Sequence, residues 1–390
     1  MADLVLGPFT VGIDQVSPDT KLPEGAVRDA VNGTFNRAGE FESRAGFELS
    51  YSAADIHSLW TDRAGNAFCG HGSQICSVRL GANGDPIVTP IYDTGSASPI
   101  SLDDLLDSVV FANLGAVGSI RAGAFQPLAP STPAQPVATA VSHGALAGGQ
   151  YGVAVSVMGA NESALSPITF VDVAEGGGIG LTFAAGTGNK LVYRTTQNGD
   201  VLYLAASLPE AITSYTLGNS EVGRMPETRN LAPLPTGHIV RYWRGRLLVA
   251  SGNTVYFSEP MRYGLHSPRE GFVQFASRVT MISPVDGGVF VGNESGVVFL
   301  TGTKPTDWSI DSTSALPPFE GSGLVVPSAV FGGELGKNGD NVAIWLSNNG
   351  FVMGTAQGQI IESQADRISL NEAGKASSFV HNRRITTIMQ

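Results

Sequence analysis

Side chains able to do chemistry are few and scattered. The six histidines stand at His57, His71, His143, His238, His266 and His381. No two lie within four residues of each other, so the His-x-His and His-Glu-x-x-His spacings that hold a metal do not occur. Cys69, His71 and Cys76 would supply three zinc ligands, but no fourth follows. The same two cysteines flank Gly70, Gly72 and Ser73, a turn-like stretch that would bring them face to face across a hairpin, as free thiols or as a bridge. Asp103, Asp104 and Asp107 form the one tight acidic cluster. It reads either as a carboxylate pair for acid–base work or, as expected, as a solvated helical turn. There is no Gly-x-Ser-x-Gly elbow, no phosphate-binding Walker loop and no EF-hand loop. Thr306-Asp307-Trp308 is out of frame for a sialidase Asp box. The expectation is a protein that is not an enzyme, with no catalytic, metal or cofactor-binding residues and no cofactor.

Arg241, Arg244 and Arg246 share one hairpin with Tyr242 and Trp243. A basic and aromatic cluster of this kind contacts nucleic acid in some proteins. The alternative expectation is that these arginines meet carboxylates at a blade contact or a subunit contact. Trp60, Trp243, Trp308 and Trp345 fall about one per repeated unit. They would serve as sugar platforms if exposed, but that spacing favours a role in the core.

The elements that must position these residues follow from composition. The chain has 49 glycines and 22 prolines, about 18% of its residues against an average near 12%. Charged residues reach only 15%, while apolar ones make up 42%. That combination favours many turns between short buried strands and disfavours helical bundles and Rossmann-like alternation. The 23 basic and 34 acidic residues leave a net charge of −11. Such a surface repels phosphate backbones and disfavours a protein that grips nucleic acid. The first residues lack a basic region and a long apolar core, and no apolar run reaches the ~18 residues of a membrane helix. The expectation is a protein made in the cytosol without membrane insertion.

Four segments are expected. Residues 1–50 form an arm, with a short helix over 24–31 started by Pro23 and a hairpin from Gly33–Asn36 to Glu40–Arg44 turning at Gly39. Residues 51–130 begin a series of strand–turn–strand units that resumes over 226–390. Examples are Ile239–Trp243, Arg246–Ala250 and Thr254–Ser258, then Thr280–Val285, Val289–Gly292 and Val297–Leu300. Copies start about 40–60 residues apart, the signature of a β-propeller, with about five blades. Between them, residues 131–225 are bracketed by prolines at 127, 130, 133 and 136 and at 226, 233 and 235. Six or seven short period-2 strands in that stretch match a fibronectin-III-like sandwich. The fold class expected is therefore all-β, a β-propeller with an inserted β-sandwich.

The arm also carries a resemblance. Gly12-Ile13-Asp14, Leu22-Pro23-Glu24-Gly25-Ala26, Ala30-Val31-Asn32, Gly39 and Arg44-Ala45-Gly46-Phe47 resemble the opening pattern of tail nozzle proteins of short-tailed bacteriophages, the family that includes tail tubular protein B and the packaged-DNA stabilisation proteins. The resemblance implies that Leu22, Pro23, Gly25, Ala30, Asn32, Gly39, Arg44 and Gly46 serve structure and assembly. It implies a homo-oligomer, a six-fold ring in the virion tail below the portal and adaptor proteins, assembled in the host cytoplasm. Tail fibre proteins would contact it, and genomic DNA would pass through without being held. The alternative is a glycan- or receptor-binding propeller tail protein.

Overall fold

The computed structural model describes residues 8–36, 38–44, 46, 48–186, 188–330, 339–370, 374–381 and 384–389. The described chain is all-β, with only short 3-10 turns at Asp19–Lys21, Pro305–Asp307 and Ser328–Val330. None of its helices is long and apolar enough to cross a membrane.

Of the six four-stranded antiparallel sheets among the described residues, five form a series along the chain that one insert interrupts. Blade I comprises Ile56–Thr61, Ala67–His71, Gln74–Leu80 and Pro86–Asp93. Blade II comprises Ser101–Leu105, Ser108–Ala112, Val117–Arg121 and Ala124–Gln126. Blade III has Ile239–Trp243, Arg246–Ser251, Thr254–Phe257 and Phe272–Gln274. Blade IV has Val279–Val285, Gly288–Asn293, Gly296–Thr301 and Ser309–Ser312. Blade V has Leu324–Pro327, Asn341–Ser347, Gly350–Gly354 and Ile360–Ile361. The first strands of successive blades are neighbours. The Ile100 amide before blade II donates to Ser58 Oγ of blade I, Val240 N donates to Ser101 Oγ, and Trp243 Nε1 reaches Val285 O. First strands side by side, with the later strands ranged outward, are the arrangement of a β-propeller.

Local chemistry explains the units. Middle strands are covered on both faces by the sheets beside them, so they read as near-continuous apolar runs. Gly288–Asn293 is buried at every residue. Two hairpins turn on residue pairs with positive φ at both positions, Arg244 (46°) with Gly245 (78°) and Ala122 (50°) with Gly123 (77°). Both are two-residue turns whose twist matches the strands they join. The apolar clusters lie between sheets. Phe68, Ile75, Leu102 and Phe111 join I to II, and Val110, Leu234, Val240 and Leu247 join II to III. Leu248, Phe257, Ile282 and Val291 join III to IV, and Phe290, Phe299, Ala343 and Trp345 join IV to V.

The insert between blades II and III is a two-sheet sandwich. One sheet orders Val137–Leu146, Gly177–Thr182 and Ser214–Leu217. The other orders Thr169–Val173, Gly149–Met158, Asn189–Thr195 and Leu202–Leu208. Tyr151, Val153, Val155, Ile179, Leu181 and Val192 fill the space between them.

Two expectations are corrected. No helix forms over 24–31. Gly25 sits at φ +82°, the Ala26 amide closes a turn on Pro23 O, and Ala26–Val27 runs as a short strand parallel to Gly12–Ile13. A segment this short does not recover the cost of helix nucleation when a strand partner lies alongside. Asp103 and Asp104 are not on a solvated helical turn either. They lie within the first strand of blade II, and Leu106, at φ 53°, makes the turn that follows. The arm hairpin forms as expected, Gly33–Phe35 pairing with Phe41–Ser43, with Gly39 at φ +80°. Arg37 of its turn lies outside the described residues.

The four tryptophans pack between sheets. Trp345 is fully buried against Phe290, their rings 5.5 Å apart. Trp345→Ala should cost about 3–5 kcal/mol, the range for an aromatic deleted from a core. Urea unfolding would read this as a lowered midpoint with an unchanged slope.

Candidate functional site: inter-blade seams and a charged cleft

The arginine hairpin of blade III does not form one basic patch. Arg241 turns toward blade II. Its Nη1 donates to Ser101 Oγ (2.9 Å), Leu102 O (3.3 Å) and Val240 O (2.7 Å). Beside it, Tyr242 N donates to Asp103 Oδ2 at 2.6 Å. Burial raises the Asp103 carboxyl above its usual range, and the Arg241 charge opposes that rise. Arg244 turns the other way, donating to Asp286 O at the end of the first strand of blade IV and lying 5.1 Å over the Trp243 ring. Arg246 folds back within blade III, to Ser258 O at 2.7 Å and Glu259 at 3.9 Å. Arg241 and Arg244 thus serve joints between sheets, and Arg246 a contact within its own blade.

Equivalent joints recur. Arg63 pairs with Asp104 at 3.3 Å between blades I and II. Asp286 Oδ2 accepts from Asn341 N of blade V. Arg278 pairs with Glu320 at 2.7 Å, and His238 Nε2 approaches Val279 O at 2.7 Å. Burial holds the His238 imidazole below its usual range, in its neutral form. His57 is likewise structural, its ring lying under Gly70, where an added Cβ would meet it at 2.1 Å. Among the described residues, no group of three or more His, Cys, Asp or Glu is placed to hold a metal. Cys69 and Cys76 are directly opposite across the second hairpin of blade I, buried and free. Burial, with Cys76 adding to it, pushes the Cys69 thiol up to about 11, so it resists becoming a thiolate at neutral pH.

The arm residues of the resemblance build close backbone contacts. Phe9 N donates to Gly39 O at 2.7 Å, and a Cβ on Gly39 would meet Phe9 N at 2.8 Å. Asn32, at φ 54°, accepts from Arg44 N, and Pro23 O accepts from Ala26 N. Leu22 ends the 3-10 turn, and Ala30 N donates to Asp29 Oδ1. Gly46 has open space around it. Asp14 accepts from Val16 N and Ser17 N, and these bonds hold its carboxyl low. The arm lies against the segment after blade V, where Gln15 N donates to Arg367 O and Arg367 donates to Val11 O. Ala45 and Phe47 are outside the described residues.

One site escaped sequence reasoning. A cleft of about 640 Å³ opens beside blade III, lined by charged residues that include Glu227, Arg229, Glu259, Arg262, Arg269 and Glu270. Arg262 and Arg224 both pair with Glu227. The exit linker of the sandwich brings Glu227 and Arg229, and the excursion after Phe257 brings the rest. No spacing in the sequence links these segments. The joint does so through Ala232 and Pro233 pairing with His266 and Leu265.

No family model matches the chain, and no curated protein matches it. Solved structures resemble it remotely. A structure of streptogramin B lyase aligns over 85% of this chain and 88% of its own, at 13% identity and a TM-score of 0.34. A catalytically inactive virginiamycin B lyase from Staphylococcus aureus, with quinupristin, aligns over 88% and 95%, at 12% identity and a TM-score of 0.35. The AfRom2 CNH domain aligns over 85% and 89%, at 10% identity and a TM-score of 0.29. At these scores the blade assignment rests on the sheets themselves.

The Asp103–Arg241 joint makes a signed prediction. Arg241→Ala removes three donor contacts and leaves a partly buried carboxylate without its cation, a loss of about 1–3 kcal/mol. Because the folded Asp103 pKa is raised, the wild type gains stability relative to Asp103→Asn as pH falls into the carboxylate range. Urea melts of both proteins at neutral and mildly acid pH would measure that difference. A gap that narrows in the wild type's disfavour on acidification contradicts the assignment.

Proposed function

We propose that the protein is a structural component of a tailed-phage virion, a nozzle or hub ring of the tail that continues the DNA channel, and not an enzyme. The observation that carries this reading is the arm. The residues of the resemblance between Leu22 and Gly46 include two glycines at positive φ, Gly25 and Gly39, at the turns that shape the arm. Their spacing therefore answers to a specific folded shape. Two further features support it. The buried and paired charges described above tie sheet to sheet or close local turns, which suits a scaffold. The net charge of −11 suits a channel wall past which DNA slides. Portal-side adaptor proteins and tail fibres are the partners this reading supplies.

The alternative, a glycan- or receptor-binding propeller, would need exposed aromatic platforms. Trp243 and Trp345 are buried, and Trp60 and Trp308 pack on Phe68 and on Trp243 with Phe257. For a polar ligand, the cleft beside blade III offers Arg229 and Arg269 together with Glu259 and Glu270.

Gold-labelled antibody on purified particles should mark one tail position, and cryo-electron microscopy should resolve a ring there. Label confined to the capsid shell, or absent from particles, overturns the reading. Reproducible saccharide binding on a glycan array would favour the alternative.

A further inference from the structure

The cleft beside blade III is walled by three turns, each closed by backbone hydrogen bonds. Leu231 N donates to Thr228 O, with Asn230 at φ 60°. Arg262 N donates to Glu259 O at 3.1 Å, and Glu259 N donates to Leu265 O at 2.8 Å. Gly271 N donates to Ser267 O at 2.7 Å, while Gly271 O accepts from Phe257 N of the third strand of blade III. A Cβ on Gly271 would meet Ser267 O at 2.5 Å, so this turn closes only on glycine. The three turns hold the backbone that carries Arg229, Arg262 and Arg269, all of which line the cleft.

Two of those arginines are unused by the fold. Arginines in this chain find partners even at the surface, and Arg63, whose side chain is 90% exposed, pairs with Asp104. Among the arginines whose side chains are described, Arg79, Arg229 and Arg269 alone have neither an ion pair nor a hydrogen bond. Arg229 and Arg269 both line this cleft. Its carboxylates do not pair with them. Glu227 is taken by Arg262 and Arg224, which hold its carboxyl low, and Glu259 is taken by Arg246. With Arg224 and Arg246 counted, five arginines stand against three glutamates, in a protein of net −11.

We propose that the cleft binds a phosphate ester of a small polar molecule, with Arg229 and Arg269 on the phosphate. A phosphate monoester carries about two negative charges at neutral pH, which matches the two cations left unpaired here. The guanidinium fork also fits its oxygens. Asn230, Ser267 and Glu270 supply donors and acceptors for hydroxyl groups on the rest of the ligand. The volume of about 640 Å³ holds a sugar-sized molecule. Such a site goes beyond the tail reading and stands apart from it. It needs the cleft and not a ring, so its failure leaves the particle-labelling test untouched.

Isothermal titration calorimetry of the full chain tests it with glucose 6-phosphate, inorganic phosphate and glucose. Glucose 6-phosphate should bind about tenfold or more tighter than inorganic phosphate, and glucose should give no measurable heat. Arg229→Ala and Arg269→Ala should each weaken glucose 6-phosphate binding about tenfold or more, through the loss of a charge-assisted contact. Arg79→Ala removes the same charge outside the cleft and should leave the affinity unchanged. All three arginines are exposed, so melting temperatures should stay close to wild type. If a cleft variant unfolds, Arg229→Gln or Arg269→Gln serves in its place, with the same loss expected. The proposal is overturned by no binding of glucose 6-phosphate, or by equal binding of glucose or of inorganic phosphate, the latter marking an adventitious ion only. It is overturned equally by folded cleft variants that bind like wild type, or by an equal loss in Arg79→Ala.

Discussion

The structure depends on one constraint, that the middle strands of blades II, III and IV must be covered on both faces by the sheets beside them. Middle strands such as Gly288–Asn293 have no polar face and gain their stability only when a sheet lies on either side. The test of that constraint is the junction of blades II and III, which an entire sandwich separates in sequence. There Val110 and Ala112 meet Val240, Leu247 and Val249 in one apolar cluster, and Ser101, Asp103 and Arg241 lock the first strands in register. The sandwich hangs from the joint without interrupting it, because its entry and exit chains both return to the edge of blade III. Gly264 packs on Leu128 and Ala129, and Pro233 pairs with Leu265.

This arrangement explains why charge is used so sparingly. A propeller joint has room for few polar side chains, and an unpaired one there costs more than a paired one gains. Arg241, Arg244, Arg278 and Asp286 therefore each reach a specific partner on the neighbouring sheet. The same economy keeps His238 neutral and the facing cysteines protonated. Charged groups outside these joints lie at the periphery, as in the cleft beside blade III.

Much of the fold was legible because its units are local. Period-2 apolar alternation, Gly-punctuated turns and proline brackets name the strands, the hairpins and the insert and give about five three-strand units, while the fourth strand of each blade emerges only in the sheets. The helix expected over 24–31 was misread because the positive φ at Gly25 and the strand partner at Gly12–Ile13 are decided by contacts outside the segment. Asp103 and Asp104 were misread for a related reason. Two adjacent carboxylates look solvated until the Tyr242 amide, 139 residues along the chain, donates to one of them within a strand.

The sequence by itself determined the all-β class, the strand and turn units, the bracketed insert and the net negative surface, since each depends on residue type and near neighbours. Only the tertiary structure decided where the charges went. It sent three arginines of one hairpin to blade II, to blade IV and back within blade III, placed the tryptophans between sheets and gathered Glu227, Arg229, Arg262 and Arg269 into one cleft. Those outcomes are pairings between residues far apart in the chain, fixed by which sheets stack, and no local pattern encodes them.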